Sequence, residues 1–303
     1  MRVLVFGAGG FAGRHLQAEL ARQNSEVIVA PGPRAESGFD LRDATRVKEL
    51  VLDAKADAIV NLAAVSSRAE SDADPALTFA VNALGVVHVL AAAQRATPRP
   101  RVLIVSSGEV YGALAAGELA SEDSPLKPAN PYAAAKLAAE ISGQQFHRSY
   151  GLEVVVARPF NHLGPGQSDR FVVPALAKQI AAIQRGDAPN VLRMGDLSPR
   201  RDFTHVRDVA SAYWLLLEKG TPGEVYNVAS GAPRSIRSVL DEMLELSGVD
   251  AHVEVEAPKF RALEIPARAG NPARIKALGW EPRFDVRTAL REALVENGAS
   301  VLR

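Results

Sequence analysis

The sequence predicts an α/β fold, a doubly wound parallel sheet with a smaller C-terminal α/β region. Three observations predict it. Short apolar runs rich in Val, Ile and Leu alternate with longer runs of helical periodicity through the first half of the chain. Such alternation needs crossover connections, which give parallel strands covered by helices on both faces. A glycine-rich turn, Gly7-Ala8-Gly9-Gly10-Phe11-Ala12-Gly13, joins the first apolar run to the first helical one.

Taken in order, Val3–Phe6 reads as a buried strand and Phe11–Gln23 as the helix that the glycines open. Val27–Ala30 is expected as a strand, Ala44–Lys55 as a helix, Ala58–Ala64 as a strand and Ala76–Arg95 as a region holding a long helix. Val102–Ser106 is the next strand. Pro131–Tyr150 has helical periodicity with a proline suited to the first turn, and Leu152–Ala157 is strand-like. After Arg158 the texture changes. Asn161–Asp169 reads as a Gly/Pro-bearing loop, Phe171–Arg185 as a helix, Val191–Met194 as a strand and Val206–Lys219 as an amphipathic helix. Glu224–Ala229 is a buried strand expected to rejoin the sheet. Ser235–Leu246 (helix), His252–Glu256 (strand) and Val286–Glu296 (helix) complete the chain. The expected division is a nucleotide-binding domain at 1–160, with 204–229 returning to it, and a substrate domain at 161–303.

Composition narrows the function. The 303 residues carry 35 Lys+Arg and 35 Asp+Glu, so net charge is zero and a general binder of nucleic acid or membrane surface is not expected. The chain has no cysteine, which excludes disulfides, thiolate catalysis and Cys-ligated metal. Histidine is sparse and lacks metal-ligand spacing, so no metal is expected. Met1–Phe6 runs straight into a strand without the pattern of a secretory leader, and no apolar run has the length of a membrane span, so a cytoplasmic location is expected.

The glycine turn fits a dinucleotide. Gly7, Gly10 and Gly13 let a pyrophosphate approach backbone N–H groups at a helix N-terminus, with Phe11 opening the helix. In this Rossmann-type arrangement an acidic residue ending the second strand would bind a ribose 2′-hydroxyl. The strand ends Val29-Ala30-Pro31-Gly32-Pro33-Arg34, with no carboxylate. Arg34, and less directly Arg14, instead suit a 2′-phosphate, so NADP(H) is favoured over NAD(H), though both arginines also read as solvated surface residues. Asp40 suits an adenine amino group or, equally, a helix cap.

Ser107, Tyr132 and Lys136 suit hydride-transfer chemistry. Tyr132 and Lys136, four apart on one helix, share a face. A Lys ammonium beside the phenol is expected to lower the Tyr pKa, letting Tyr132 exchange a proton with a carbonyl or alcohol while Ser107 hydrogen-bonds the same oxygen. Glu109, beside them in Ser106-Ser107-Gly108-Glu109-Val110-Tyr111-Gly112, is expected as either a base or a substrate-binding group.

Together these motifs resemble the extended short-chain dehydrogenase/reductase family of nucleotide-sugar epimerases, dehydratases and reductases. The match runs over essentially the whole chain and includes Asn61-Leu62-Ala63-Ala64, Asn82-Ala83-Leu84-Gly85, Tyr111-Gly112 and Arg158-Pro159. The resemblance implies that Leu62, Ala63, Ala64 and Pro159 line the cofactor, that Lys136 holds its ribose, and that a homodimer forms through helices at Ala76–Arg95 and Pro131–Tyr150. Arg158–Gln167, Arg200–Val209 and Phe260–Pro266 resemble the GDP-mannose branch. In that branch the pattern is most similar to the GDP-6-deoxy-4-keto-D-mannose reductases, which form GDP-D-rhamnose. Their Arg-Pro-Ser-Glu stretch is here Arg261-Ala262-Leu263-Glu264. The resemblance implies a GDP-linked sugar bound by Ser66, Ser107, Glu109, Asn161, Val172, Arg201, Arg261 and Glu264, with Arg201 and Arg261 suited to clamp its pyrophosphate. Arg201 reads alternatively as the ion-pair partner of Asp202 or Asp208. His162 reads as structural, and Trp214 and Trp280 as core.

Three reactions compete on this scaffold. Epimerisation before reduction is implied to need a Cys where this chain has Glu109. The 4,6-dehydratase reading makes Glu109 the base for a sugar C5 proton, but such GDP-mannose enzymes carry Gly-Gln-Asp-Gly where this chain has Gly9-Gly10-Phe11-Ala12. A simple 4-ketoreductase needs only Ser107, Tyr132, Lys136 and NADPH, and is the preferred expectation. A non-catalytic NAD(P)-binding regulatory protein is the alternative from another class.

Overall fold

The computed structural model describes residues 1–32, 39–115, 117–255 and 267–302. The chain enters β1 (Arg2–Phe6) and turns through its glycines into α1 (Phe11–Arg22). Next come β2 (Glu26–Val29), α2 (Ala44–Ala54), β3 (Ala58–Asn61), α3 (Arg68–Ala73), α4 (Pro75–Phe79), α5 (Gly85–Arg95), β4 (Arg101–Val105), α6 (Pro131–Tyr150) and β5 (Val154–Pro159). The second half contains β6 (Asn161–Leu163), α7 (Val172–Arg185), β7 (Val191–Met194), β8 (Arg200–His205), α8 (Val206–Lys219), β9 (Val225–Val228), β10 (Pro233–Ser235) and α9 (Ile236–Ser247). It closes with β11 (His252–Val255), β12 (Ala267–Arg268), α10 (Ala273–Ala277) and α11 (Val286–Glu296).

Six strands form one parallel sheet in the order β2-β1-β3-β4-β5-β9. Val, Ile, Leu and Ala from both faces of these strands pack into two separate cores. One joins the sheet to α2, α5 and α6 through residues such as Val47, Leu90 and Ala139. The other joins it to α1, α8 and α10 through Leu16, Leu216 and Ile275. Burial on both faces is why the strands are continuous apolar runs rather than alternating ones. From β1 the chain goes to β2 on one side and then crosses to β3 on the other, which leaves a crevice at the C-terminal edge above β1 and β3. A third core, with Leu176, Leu240 and Leu290, binds α7, α9 and α11 beneath a smaller sheet of β10, β8 and β12, with β6 on β8.

Several boundaries depart from the sequence reading. The strand expected at Ala58–Ala64 stops at Asn61, whose Oδ1 accepts the Ala63 N–H at 3.1 Å and bends the chain. The helix expected in Ala76–Arg95 is present but passes through a π turn at Ala80–Leu84 between α4 and α5. Pro75–Arg95 is also long and apolar enough, by length and composition, to cross a membrane. Asn161–Leu163 was expected as loop and is a strand, pairing with β8. β8 itself reads as polar, yet Asp202 through His205 are buried. Asp202 is tolerated there because its carboxylate accepts Ser230 Oγ at 2.6 Å, Ser230 N at 2.8 Å and Gly231 N at 2.9 Å. Glu256, the end of another expected strand, lies outside the described residues. Trp280 is core as expected, its Nε1 donating to Asp208 O at 3.1 Å, and Trp214 packs on the same core.

Candidate active site

A cleft of about 570 Å³ opens at the C-terminal edge of the sheet. Its floor begins at the β1–α1 turn, where Gly7 has φ +76° and a Cβ would stand 2.6 Å from Ala63 N. A Cβ on Gly13 would stand 2.3 Å from Gly7 O. Both glycines are therefore required by backbone contacts: at Gly7 the turn lies hard against the segment after β3, and at Gly13 α1 lies hard against the turn itself. No side chain caps α1 at Gly10 and its first turn holds no acid, so its N-terminal N–H groups face the cleft ready for an anion. Phe11 stacks on His162, with centroids 5.7 Å apart and rings 10° from parallel. Burial holds the His162 pKa below its usual value, and its Nδ1 lies 3.1 Å from Phe160 O, a structural role. Leu62, Ala63, Ala64 and Pro159 line the same floor.

The adenosine end differs in part from expectation. Asp40 reaches the cleft, but its carboxylate already holds Arg42 (Nη2 at 2.6 Å, N–H at 2.8 Å), which keeps its pKa below the usual carboxylate range. The helix cap alternative falls to Asp43, which accepts from Thr45 N and Arg46 N. Arg34 lies outside the described residues. Arg14 is not a cleft residue. Its Nη1 reaches Gly9 O at 3.3 Å and its Nη2 reaches Gly166 O at 2.9 Å, tying the glycine turn to the loop after β6.

Ser107, Glu109, Tyr132 and Lys136 come together in the cleft. Ser107 follows the end of β4 and Glu109 sits in a one-turn 3₁₀ helix at Gly108–Tyr111. Tyr132 and Lys136 project from the first turns of α6, which Pro131 opens and Asn130 caps through Ala133 N at 2.8 Å. Lys136 Nζ donates to Val105 O at 2.8 Å and lies 5.9 Å from the centre of the Tyr132 ring. Burial lowers the Lys136 pKa to about 8.

The net shift on Tyr132 is upward, against the lowering expected from Lys136. Burial, then the nearby Glu109 charge, push Tyr132 up, while its hydrogen bond with Ser107 and the Arg268 charge oppose them less strongly. Burial thus favours the neutral phenol, the form that can donate a proton. Glu109 is not a free carboxylate. Its Oε1 meets Arg268 Nη1 at 2.8 Å, and its Oε2 accepts Asn130 Nδ2 at 2.8 Å.

The strand-end motif is braced from beneath. Arg158 and Glu140 form a buried ion pair at 2.7 Å, Ser106 Oγ donates to Glu140, Arg158 Nη1 donates to Tyr111 Oη at 2.8 Å, and Tyr111 donates to Asn227 Oδ1 at 2.7 Å. The network joins β4, α6, β5 and β9, so Ser107 and Tyr132 are held by one buried frame.

On the opposite wall, Ser66 and Asn161 line the cleft. Val172 does not, but its neighbour Phe171 does, at a second helix N-terminus without a side-chain cap or acid, that of α7. Arg201 lies on β8 away from the lining, with Nη1 on Arg200 O at 2.8 Å. The carboxylates offered as its alternative partners are engaged elsewhere, Asp202 as above and Asp208 by Arg283 N and Phe284 N at 3.0 Å. Arg261 and Glu264 lie outside the described residues. Sequence reasoning missed Arg268 and Tyr213, both in the lining. Arg268 carries no motif, and Tyr213, on an amphipathic helix, reads as core. Among the described residues no cluster of His, Asp and Glu forms a metal site.

A family model described as GDP-mannose 4,6 dehydratase matches residues 4–293. The chain is 37% identical over 295 residues to GDP-6-deoxy-D-mannose reductase of Pseudomonas aeruginosa, covering 97% of this chain and 96% of that one. It is 30% identical over 286 residues to GDP-mannose 4,6-dehydratase of Sinorhizobium fredii, covering 87% and 80% respectively. The solved structure of RMD from Pseudomonas aeruginosa complexed with NADPH superimposes with a TM-score of 0.88 at 37% identity, covering 98% of both chains.

Proposed function

The chain belongs to the GDP-mannose 4,6-dehydratase family, and we propose that within it this protein is an NADPH-dependent 4-ketoreductase that takes GDP-6-deoxy-4-keto-D-mannose to GDP-D-rhamnose. It is an oxidoreductase of nucleotide sugars, as its relatives are. The observation that carries the reductase reading is the state of the two acid–base groups. Both oxygens of Glu109 already accept N–H donors, and burial favours the neutral, proton-donating form of Tyr132.

The cleft fits the cofactor. The uncapped N-terminus of α1 suits its pyrophosphate, and Gly7 and Gly13 allow its close approach. Tyr132 and Lys136 take the nicotinamide ribose beside Leu62, Ala63, Ala64 and Pro159, with Asp40 at the adenosine end and Arg34 at the 2′-phosphate. Bound there, NADPH supplies a hydride to the sugar C4. Tyr132 gives its proton to the C4 oxygen as Ser107 hydrogen-bonds it, so hydride and proton together convert ketone to alcohol. Lys136, fixed on Val105 O, holds the ribose and sets the charge beside Tyr132. Ser66, Glu109 and Asn161 bind the hexose. The uncapped N-terminus of α7 at Phe171 and Val172 serves the diphosphate, with Arg201 and Arg261 as its clamp, and Glu264 contacts another part of the sugar nucleotide. Residues 1–160 with 204–229 hold the cofactor and 161–303 the sugar nucleotide, in a cytoplasmic homodimer.

The test supplies GDP-4-keto-6-deoxy-mannose with NADPH and follows cofactor absorbance and product configuration at C4. Stoichiometric NADPH oxidation with GDP-rhamnose as product is expected. Conversion of GDP-mannose itself to a 4-keto sugar without net cofactor use would instead establish a dehydratase.

A further inference from the structure

Arg268 is 5% exposed, and its guanidinium enters the cleft that holds Ser107 and Tyr132. Placing an arginine in such a site is costly unless its charge is balanced and its N–H groups are used. Here Nη1 is balanced by Glu109 Oε1 at 2.8 Å, while Nε has no partner among the described residues. Asn130 holds the other Glu109 oxygen, and the Asn130 amide is itself fixed, because its Oδ1 caps α6. Glu109 is thus gripped by two donors from two separate elements.

That grip has a chemical consequence. Glu109 and Tyr132 line the same cleft, and the Glu109 charge helps to push the phenol's pKa up. A 4-ketone acidifies the C–H bonds on either side of it, at C3 and C5. A free carboxylate at this place would take such a proton, leaving an enolate, and return it from solvent. Each Glu109 oxygen already accepts one N–H, from Arg268 and from Asn130, so it can still accept from a sugar hydroxyl but is a poorer taker of a carbon-bound proton. Protonating it would also leave the buried Arg268 without its counter-charge.

We propose that Arg268 determines reaction specificity: by occupying Glu109 it makes that carboxylate a hydrogen-bonding group rather than a base. The proposal rests on the reading of the cleft as a 4-keto-sugar site. It makes Arg268 a positioning residue for the carbon–hydrogen bonds that reduction must leave intact.

Deuterium exchange tests it without any need for hydride transfer. The protein is incubated in D₂O with NADP⁺ and GDP-4-keto-6-deoxy-mannose, and deuterium at C3 and C5 is read by mass spectrometry and NMR against an enzyme-free control. Wild type is expected to match the control. Arg268→Leu is expected to raise exchange about tenfold or more by freeing Glu109. Arg268→Leu combined with Glu109→Gln returns to the control, and Arg268→Lys, which keeps the charge, stays low. Arg268→Gln serves as a second charge-removing variant should the Leu variant fail to fold. Enzyme-dependent exchange in wild type would overturn the proposal. So would control-level exchange in a folded, NADPH-binding Arg268→Leu or Arg268→Gln. Reduction is scored separately: failure of wild type to oxidise NADPH with this sugar sinks the reductase reading, while exchange still reports on Arg268.

Discussion

Burial acts on Tyr132 and Lys136 from the same face of α6, making the neutral form of each easier to hold. For Tyr132 this keeps the proton that reduction consumes. Tyr132→Phe should cut the reductive rate by about 10²–10⁴-fold, the usual worth of a positioned acid, with little change in NADPH affinity. A variant with near-normal turnover would remove the assigned role. For Lys136 the pKa falls from the usual Lys value to about 8, so the ammonium is present below that pH and is lost above it. Because kcat/KM for NADPH reports the free enzyme, it should hold on the acid side and fall as pH rises through about 8. Lys136→Arg, always charged, should move that fall to higher pH; an unchanged profile would count against Lys136 as its source. The triad of Ser107, Tyr132 and Lys136 was legible because strand end and helix spacing place it locally. Arg268 was not, because its partner Glu109 lies more than half the chain away in sequence and the two meet only in the folded chain.

At the scale of elements, the π turn at Ala80–Leu84 places Asn82 where a regular helix would not. Asn82 is 1% exposed, and its amide makes both bonds available on Val65, accepting Val65 N at 2.8 Å and donating to Val65 O at 3.0 Å. Val65 lines the cleft next to Ser66, so the turn fixes the sugar-side wall by backbone rather than by side chain. Asn82→Ala leaves both Val65 groups unpaired and should cost about 2–3 kcal/mol. Urea unfolding measures this, and a loss below about 0.5 kcal/mol would mean the wall does not depend on Asn82. The motif Asn82-Ala83-Leu84-Gly85 was visible in the sequence, but the π turn was not, since apolar periodicity over twenty residues averages out one extra residue. β8 escaped notice for a related reason. Its buried Asp202 looks like a surface residue until the Ser230 and Gly231 donors are in place.

For the whole molecule, the fold class followed from strand–helix alternation, whereas the strand order β2-β1-β3-β4-β5-β9 depends on long-range pairing that local pattern does not encode. The surface carries one further consequence. α4 and α6 pack side by side, and Phe79 and Leu84 on the first helical run and Ile141 on the second are 41%, 51% and 55% exposed. Large apolar side chains gathered on two neighbouring helices suit burial against a second copy, since a two-fold axis lets one such face cover itself. In such a dimer one side of Pro75–Arg95 would feed the core and the other the subunit contact, which fits its apolar length. Phe79→Glu with Ile141→Glu places like charges across that contact and should halve the sedimenting mass. Because Ser107, Tyr132 and Lys136 all come from one chain, the monomer should still oxidise NADPH with the keto sugar, though with lower thermal stability. Unchanged sedimentation of the double variant would move the subunit contact elsewhere. Loss of turnover in a folded monomer would show that the helix pair also steadies α6, and through it the position of Tyr132.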